Sequence, residues 1–268
     1  MVTTLVPELS DDRSSFWVTG EGHREIAAPW APFGRPFHPV AELDLWPDLR
    51  SAASQLRTTR ETQTVSVAEY PFPGGVPDLT VFRVRSELLD VRLGCESAPI
   101  LSERDARLVA ACTPSRGAQI QNLAAIVGST EVHTRRILMA LCKQGAVEFH
   151  GSRWRRVAGM GPVATCFALE AKVSDWRAGF WQCLRYANFA QATGLVLGRI
   201  SERTEFKARQ AAKAHGIGLF VDNRWVIEPR PTRHLFAKRL LISEHLVAAL
   251  LVRPSGRGPR HQIPSASA

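Results

Sequence analysis

Two charged residues interrupt an apolar segment that otherwise has the composition of a buried strand. Glu170 and Lys172 lie in VATCFALEAKV, residues 163–173, and the two-residue alternation of a strand directs both side chains to one face. An unpaired charge in an apolar sheet costs several kcal/mol. The pair therefore either neutralises itself as a structural ion pair or serves a metal and a nucleophile.

Two further polar groups accompany this segment along the chain. Gln182 and Tyr186 are four residues apart, which places them on one face of the helix predicted to follow. Upstream, Pro77-Asp78 begins the predicted strand VPDLTVFRV, where proline is tolerated and an aspartate can reach the edge of the same sheet. The order along the chain is PD, then ExK, then QxxxY.

In this order of motifs, residues 40–230 resemble the PD-(D/E)xK nuclease superfamily, in particular its RecB-like branch, whose third motif is QxxxY. The resemblance implies that Asp78, Glu170 and the Ala171 carbonyl hold Mg²⁺ or Mn²⁺. Hard carboxylate oxygens suit Mg²⁺, which lowers the pKa of bound water and neutralises charge in the transition state.

The resemblance also assigns roles to the other motif residues. Lys172 would orient or deprotonate the attacking water. Gln182 and Tyr186 would help to position the scissile strand. Each short motif is weakly specific, and the specificity comes from three motifs in the right order on the right predicted elements.

The chain departs from the family in the spacing of its first two motifs. Asp78 and Glu170 are separated by 92 residues, where the family has a short connection between adjacent strands. No Asp or Glu occurs between Glu148 and Glu170, so Asp78 is the preferred second carboxylate. A glutamate on the first helix sometimes joins the site in the family, and Glu42 is the nearest equivalent here, with Glu61 as a rival.

The elements that must position these motifs form an α/β core in two parts. Residues 40–100 predict a helix, a strand, the turn PFPGG and a second strand, and residues 161–252 alternate strands with helices. The resemblance implies a restriction-endonuclease-like mixed sheet flanked by helices. Residues 1–39 are interpreted as an irregular arm, and residues 253–268 have the composition of a disordered tail.

Between the two parts, residues 101–160 are predicted to form an inserted winged helix-turn-helix domain. Ser102 is a helix cap, while Gly128 and Gly145 end the second and third helices. The segment AVEFHGSRWRRV then has the pattern of strand, turn and strand. Three helices followed by a basic hairpin is the winged-helix order.

A winged helix inserts its third helix into the major groove, while the wing contacts the backbone. Trp154 also lies on the wing, but it is expected to anchor the wing to the core rather than to contact DNA. The alternatives are a module that mediates protein contacts and a merely solvated basic face. The predicted DNA-contacting residues are Thr130, His133, Thr134, Arg135, Arg136 and Lys143 on the third helix, and Arg153, Arg155 and Arg156 on the wing.

The charge distribution favours a polyanionic partner. Residues 1–100 carry 9 basic and 14 acidic side chains, whereas residues 101–160 carry 9 and 4 and residues 161–250 carry 13 and 7. The positive part of the chain would attract nucleic acid. The competing explanation is that 29 arginines against five lysines reflect the codon bias of a GC-rich genome.

Cysteine usage and hydropathy predict a cytoplasmic protein without a membrane partner. The five cysteines are 17 to 30 residues apart and form no CxxC pair, which favours reduced thiols. The N-terminus turns acidic before an apolar core develops, and no apolar run approaches about 18 residues.

Three functions remain open from the sequence. The leading hypothesis is a DNA endonuclease whose winged helix grips or selects the substrate while the core cleaves it with Mg²⁺ or Mn²⁺. In the second, the chain is a non-catalytic DNA-binding regulator whose nuclease-like core is a scaffold. In the third, less favoured, it is a toxin or defence component that cleaves RNA, which the motifs do not separate from DNA cleavage.

Overall fold

One mixed sheet runs through most of the chain. The computed structural model describes residues 44–57, 62–72 and 74–251, and the backbone of residues 16–18 and 23–26. The main sheet has the order β1-β2-β3-β4-β7-β8-β9-β10, and β5 and β6 form a separate hairpin. The strands are β1 (Phe16–Val18), β2 (His23–Ile26), β3 (Thr62–Ala68), β4 (Leu79–Arg85), β5 (Val147–His150), β6 (Arg153–Arg156), β7 (Ala164–Lys172), β8 (Ala192–Leu197), β9 (Gly218–Val221) and β10 (Arg224–Ile227).

Helices cover both faces of this sheet. Leu49 of the first helix packs with Leu79 and Leu169 on one face. Ile242 and Leu246 of the last helix pack on the opposite face. The described helices are α1 (Trp46–Ser54), α2 (Ser86–Gly94), α3 (Glu103–Ala111), α4 (Ile120–Val127), α5 (Glu131–Lys143), α6 (Trp176–Tyr186), α7 (Glu202–His215) and α8 (Phe236–Leu251).

The sheet combines antiparallel and parallel pairs. β3, β4 and β7 pair antiparallel, while β7, β8 and β9 are parallel neighbours connected through α6 and α7. Neighbouring parallel strands run in the same direction, so the chain must return from the end of one strand to the start of the next. A tight turn is too short for this connection, and a crossover helix makes it. The predicted α/β class with a mixed sheet flanked by helices is therefore confirmed.

The chain between β4 and β7 contains α3, α4, α5 and the β5–β6 hairpin, which enclose a hydrophobic cluster of their own. Two residues of α8, Leu240 and Leu241, complete this cluster. The following turn of α8 contributes Ile242 and Leu246 to the cluster under the main sheet. Helix α8 thus joins the inserted segment to the sheet.

A buried ion pair strengthens the same junction. Arg92 of α2 donates to both carboxylate oxygens of Glu244 on α8, at 2.8 and 2.6 Å, and also to the Ser97 carbonyl. The Ile100 N–H donates to Glu244 Oε2 at 3.0 Å. Burying these charges is tolerated because each carboxylate oxygen has a directed donor.

Several boundaries differ from the prediction. The arm 1–39 is not irregular throughout, because β1 and β2 lie in it and β2 pairs parallel with β3. Helix α1 begins at Trp46, because Pro47 is tolerated in the first turn and disfavoured further inside a helix. Helix α2 was not predicted. The tail 253–268 lies outside the described residues.

Within the part of the chain that is described, none of the helices combines the length and hydrophobicity needed to cross a bilayer.

Candidate active site

The antiparallel register brings Asp78 to the end of β7. Leu79 of β4 pairs with Leu169 of β7, so Asp78, one residue before β4, faces Glu170 across the two strands. The Asp78 carboxylate accepts a hydrogen bond from the Ala171 N–H at 2.7 Å. The two acids separated by the inserted segment in sequence are therefore neighbours at one end of the sheet.

Pro77 explains why this ladder stops where it does. Continuing the register would place Pro77 opposite Ala171, and proline has no N–H to donate. In an antiparallel pair, the N–H and C=O of one residue point to the same neighbouring strand. The Ala171 N–H donates to the Asp78 carboxylate. The Ala171 carbonyl points to the same side of β7, where Pro77 has no N–H to donate to it.

Glu170 is almost completely buried, with 1% of its surface exposed. Its Oε2 accepts a hydrogen bond from the Tyr186 hydroxyl at 2.9 Å. Its Oε1 lies 3.1 Å from Lys172 Nζ in an ion pair, and it has no well-directed hydrogen bond among the residues that the structure describes. One buried carboxylate oxygen thus retains capacity for a further ligand.

The surroundings of Glu170 disfavour its ionised form. Burial is the largest cause, the nearby Asp78 carboxylate adds to it, and together they raise the pKa of Glu170 to about 7. Lys172 and the Tyr186 hydroxyl oppose this shift. A divalent cation between the two carboxylates would remove the repulsion that raises this pKa.

Tyr186 does not take the position that its motif predicts. Only 1% of its surface is exposed, so it cannot contact a substrate strand, and the predicted direct role is corrected. Its hydroxyl lies within hydrogen-bond distance of both Glu170 Oε2 and the Val76 carbonyl. Because a hydroxyl has a single proton, Tyr186 donates to one of these two acceptors at a time. Donation to Oε2 positions the Glu170 carboxylate beside the turn before β4.

The turn before β4 supports Tyr186 in a way that the motifs did not reveal. Gly75 has a φ of +134°, and a Cβ there would lie 2.9 Å from the Tyr186 ring. This conformation and this close approach both require glycine. The GG pair in PFPGG therefore marks a close contact as well as the turn that its composition predicts.

Helix α6 approaches the sheet closely beside Lys172. A Cβ at Gly179 would meet Lys172 Cγ at 2.8 Å, which shows how near the helix backbone lies. Gln182, on the same helix face as Tyr186, is half-buried and has no hydrogen-bond partner among the described residues. It therefore contributes no hydrogen bond to Asp78 or Glu170 within the described part of the chain.

The described residues supply two carboxylates to this site. They contain no group of three or more His, Cys, Asp or Glu side chains placed to hold a metal ion. Glu42 and Glu61, the candidates for a further acid, both lie outside the described residues. From the described part of the chain, the available ligands are therefore the Asp78 and Glu170 carboxylates and the Ala171 carbonyl.

The predicted DNA-contacting residues of α5 are exposed with one exception. Thr130 caps the helix through the His133 N–H, and its neighbours project outward. Thr134 is fully buried, so its predicted base contact is wrong: its face of α5 packs inward with Leu138 and Leu141. The exposed set is Thr130, His133, Arg135, Arg136 and Lys143.

The hairpin arginines are also unequal. Arg153 is exposed, whereas Arg155 and Arg156 are half-buried. The Arg156 guanidinium lies 4.2 Å from the centroid of the Phe236 ring on α8, so it packs against the core rather than extending freely toward a phosphate. Trp154 is 2% exposed within the cluster of the inserted segment, which confirms its anchoring role.

Comparison with known proteins gives no relative: no protein-family model, no curated protein and no solved structure matches this chain.

Proposed function

We propose that this chain is a metal-dependent nuclease of the PD-(D/E)xK type that hydrolyses phosphodiester bonds in DNA. The observation that carries the proposal is the meeting of Asp78, Glu170 and Lys172 at one end of the sheet, with Asp78 bonded to the Ala171 N–H. These residues come from segments on either side of a folded insertion. Their arrangement supports a restriction-endonuclease-like core.

The ligand set fits Mg²⁺ or Mn²⁺. Carboxylate and carbonyl oxygens are the ligands that hard divalent cations prefer. Asp78, Glu170 and the Ala171 carbonyl would hold the ion, and within the described residues Glu170 Oε1 has only the Lys172 ion pair beside it. The bound ion would lower the pKa of a water and neutralise charge on the phosphate.

The protein side chains set the conditions for this chemistry. Glu170 must be ionised to bind a cation, so proton release from Glu170 accompanies metal binding. Lys172 is 13% exposed, more open than Glu170, and its ammonium would orient the attacking water beside the carboxylate. Tyr186 holds Glu170 in place through Oε2 and leaves Oε1 to the cation.

The inserted segment supports DNA as the substrate. Its order is helix α3, the bridge residue Ala118, helices α4 and α5, then the hairpin, with Ala118 paired to Trp154. We assign this order to a winged helix-turn-helix whose α5 enters the major groove. Arg135, Arg136 and Lys143 lie on its exposed side.

A second function, a non-catalytic DNA-binding regulator, is favoured by one specific observation. Asp78 and Glu170 are 6% and 1% exposed, and Lys172 already neutralises part of the charge on Glu170. A permanently closed ion pair of this kind would act only as structure. The two functions differ in whether a cation and a phosphate can reach the carboxylates.

Cleavage assays separate the two functions. Supercoiled plasmid, linear duplex DNA and single-stranded RNA would each be incubated with the full chain in Mg²⁺ or Mn²⁺ and in EDTA. Cleavage of DNA that requires metal and falls by about 10³-fold or more in Glu170→Ala and Lys172→Ala supports the nuclease. Matched exposed substitutions on α7, Glu202→Ala and Lys207→Ala, should leave cleavage unchanged.

Each other result has a definite meaning. Cleavage that survives both site substitutions rules out this site. DNA binding without metal-dependent cleavage supports the regulator, and cleavage restricted to RNA transfers the activity to the third hypothesis.

A further inference from the structure

A groove lined by arginines lies at the opposite end of the sheet from the acid pair. We name it the arginine groove; its volume is about 300 Å³. Residues 83 and 85 of β4 lie on one face of the strand, and residue 239 ends the first turn of α8. Its principal lining residues are Thr62, Arg83, Arg85, Pro162, Thr165 and Arg239.

Within the described residues, acids only partly balance the positive charges of this groove, and the acid involved is Glu228, whose charge acts on Arg83. Arg85 and Arg239 form no ion pair with any carboxylate of the described residues, although Arg85 donates to the Pro162 carbonyl at 3.3 Å. Arg83 is held over the Phe167 ring at 4.9 Å and donates to the Arg57 carbonyl. Fixed guanidinium groups that share one concave surface suit phosphate oxygens.

The arginine groove is continuous with the inserted segment. A second hollow of about 180 Å³, lined mostly by apolar residues and by Arg156, shares Pro162 and Val163 with the groove. Arg156 rests on Phe236, and Arg239 follows three residues later on the same side of α8. A path that is mostly apolar, with Arg156 held on Phe236 as its basic residue, therefore leads from strand β6 to the arginine groove.

The path and the acid pair are separated by the length of β7. Ala164 lines the groove and Glu170 lies six residues further along the strand, which corresponds to about 20 Å at roughly 3.3 Å per residue. In duplex DNA, about 20 Å corresponds to about six base pairs. Arg83 pairs with Thr165 and shares its face of the sheet, whereas Glu170, five residues further along β7, points to the opposite face. A nucleic acid that reaches both places must therefore extend along the molecule and pass from one face of the sheet to the other.

We propose that the arginine groove binds the phosphodiester backbone of the nucleic acid, between the inserted segment and the acid pair. The inference rests on the proposed nucleic-acid ligand but not on its hydrolysis. Arg85 and Arg239 contact the phosphates, while Arg83 is held mainly by Phe167 and the Arg57 carbonyl. The ligand chemistry is a phosphate ester oxygen, which a free phosphate or a mononucleotide also carries.

Binding measurements in EDTA test the groove without cleavage. Fluorescence anisotropy with a labelled duplex of about 20 base pairs would compare the full chain with Arg85→Ala/Arg239→Ala over a range of salt concentrations. We expect the Kd to rise about 10-fold or more and the slope of log Kd against log salt to fall by about 1 to 2. Arg203→Ala/Arg209→Ala on α7, which removes the same charge from exposed positions, should change the Kd less than about 3-fold.

Two further arms decide the source of the phosphate and the role of charge. Arg85→Lys/Arg239→Lys keeps the charge and should retain most of the salt slope, which shows that the site has not unfolded. If the groove variant binds DNA like the α7 control, the proposal is overturned. It is equally overturned if inorganic phosphate or a mononucleotide raises the Tm of the wild type and not of the groove variant while DNA affinity is unaffected.

The outcome is independent of the cleavage test. Failure of metal-dependent hydrolysis with an intact dependence on Arg85 and Arg239 would reject the nuclease and keep the groove. Retained hydrolysis with no dependence on these arginines would reject the groove alone.

Discussion

Among the described residues, two buried glutamates, Glu170 and Glu244, are paired with a basic side chain, and the two pairs are built differently. Glu244 accepts hydrogen bonds from two nitrogens of Arg92 and from the Ile100 N–H, so each of its oxygens has a directed donor. Glu170 has a tyrosine on one oxygen, a loosely aligned lysine on the other, and a second carboxylate beside it. Burial alone therefore does not distinguish a structural pair from a candidate site.

The difference lies in what remains unsatisfied. Around Glu244, the donors complete the network and join α2, the segment after it and α8. Around Glu170, burial and Asp78 disfavour ionisation, and Oε1 keeps an open position. A natural sequence tolerates such a local defect most readily where a ligand completes it.

The largest expected effect comes from breaking the satisfied pair. Glu244→Ala leaves Arg92 as an unpaired buried charge, so we expect the free energy of unfolding to fall by about 3 to 5 kcal/mol. Urea denaturation at pH 8 measures it. A loss of less than about 1 kcal/mol would show that the pair is not the structural junction described above.

Glu170→Gln should raise the free energy of unfolding, whereas Glu244→Ala should lower it. The folded-state pKa of about 7 lies above the ordinary value of 4.5, so the stability that Glu170 provides is complete below about pH 4.5 and is lost as the pH rises through 7. Glutamine does not ionise, so the variant should be more stable than wild type at pH 8, by about 1 to 2 kcal/mol, with the difference shrinking toward pH 4.5. Denaturation midpoints at several pH values measure this, and a pH-independent difference would contradict the raised pKa.

The smallest expected effect is that of Tyr186→Phe. The loss of one hydrogen bond should cost about 1 kcal/mol and, because the hydroxyl favours the ionised carboxylate, should raise the pKa of Glu170 further. The pH at which stability declines should therefore move upward. Tyr70→Phe, which removes the hydroxyl bonded to His245, is the matched control and should leave that pH unchanged.

Local patterns predicted the parts of the structure that depend on local geometry. Strand alternation placed Glu170 and Lys172 on one face, and the glycine at position 128 ends α4 in the left-handed conformation that such a cap requires. The same alternation, carried across β4 and β7, accounts for the position of Asp78. These features need only the chain direction and the pairing of neighbouring strands.

The errors concern features that depend on tertiary packing. Thr134 and Tyr186 carry polar groups that a sequence pattern assigns to solvent or substrate, yet α5 and α6 turn both residues inward. Arg156 is withdrawn from its predicted phosphate because Phe236, 80 residues later in the chain, packs against it. No local spacing in the sequence indicates that α8 contributes both to the cluster of the inserted segment and to the cluster under the main sheet.

Metal binding tests the central claim most directly. Isothermal titration of the full chain with Mn²⁺ at pH 8 should show one site whose affinity falls at least about 10-fold in Asp78→Asn and in Glu170→Gln. In the wild type, binding should tighten as the pH rises through about 7, because Glu170 must release its proton. Mn²⁺ affinity that is the same in wild type and in both variants would contradict the account.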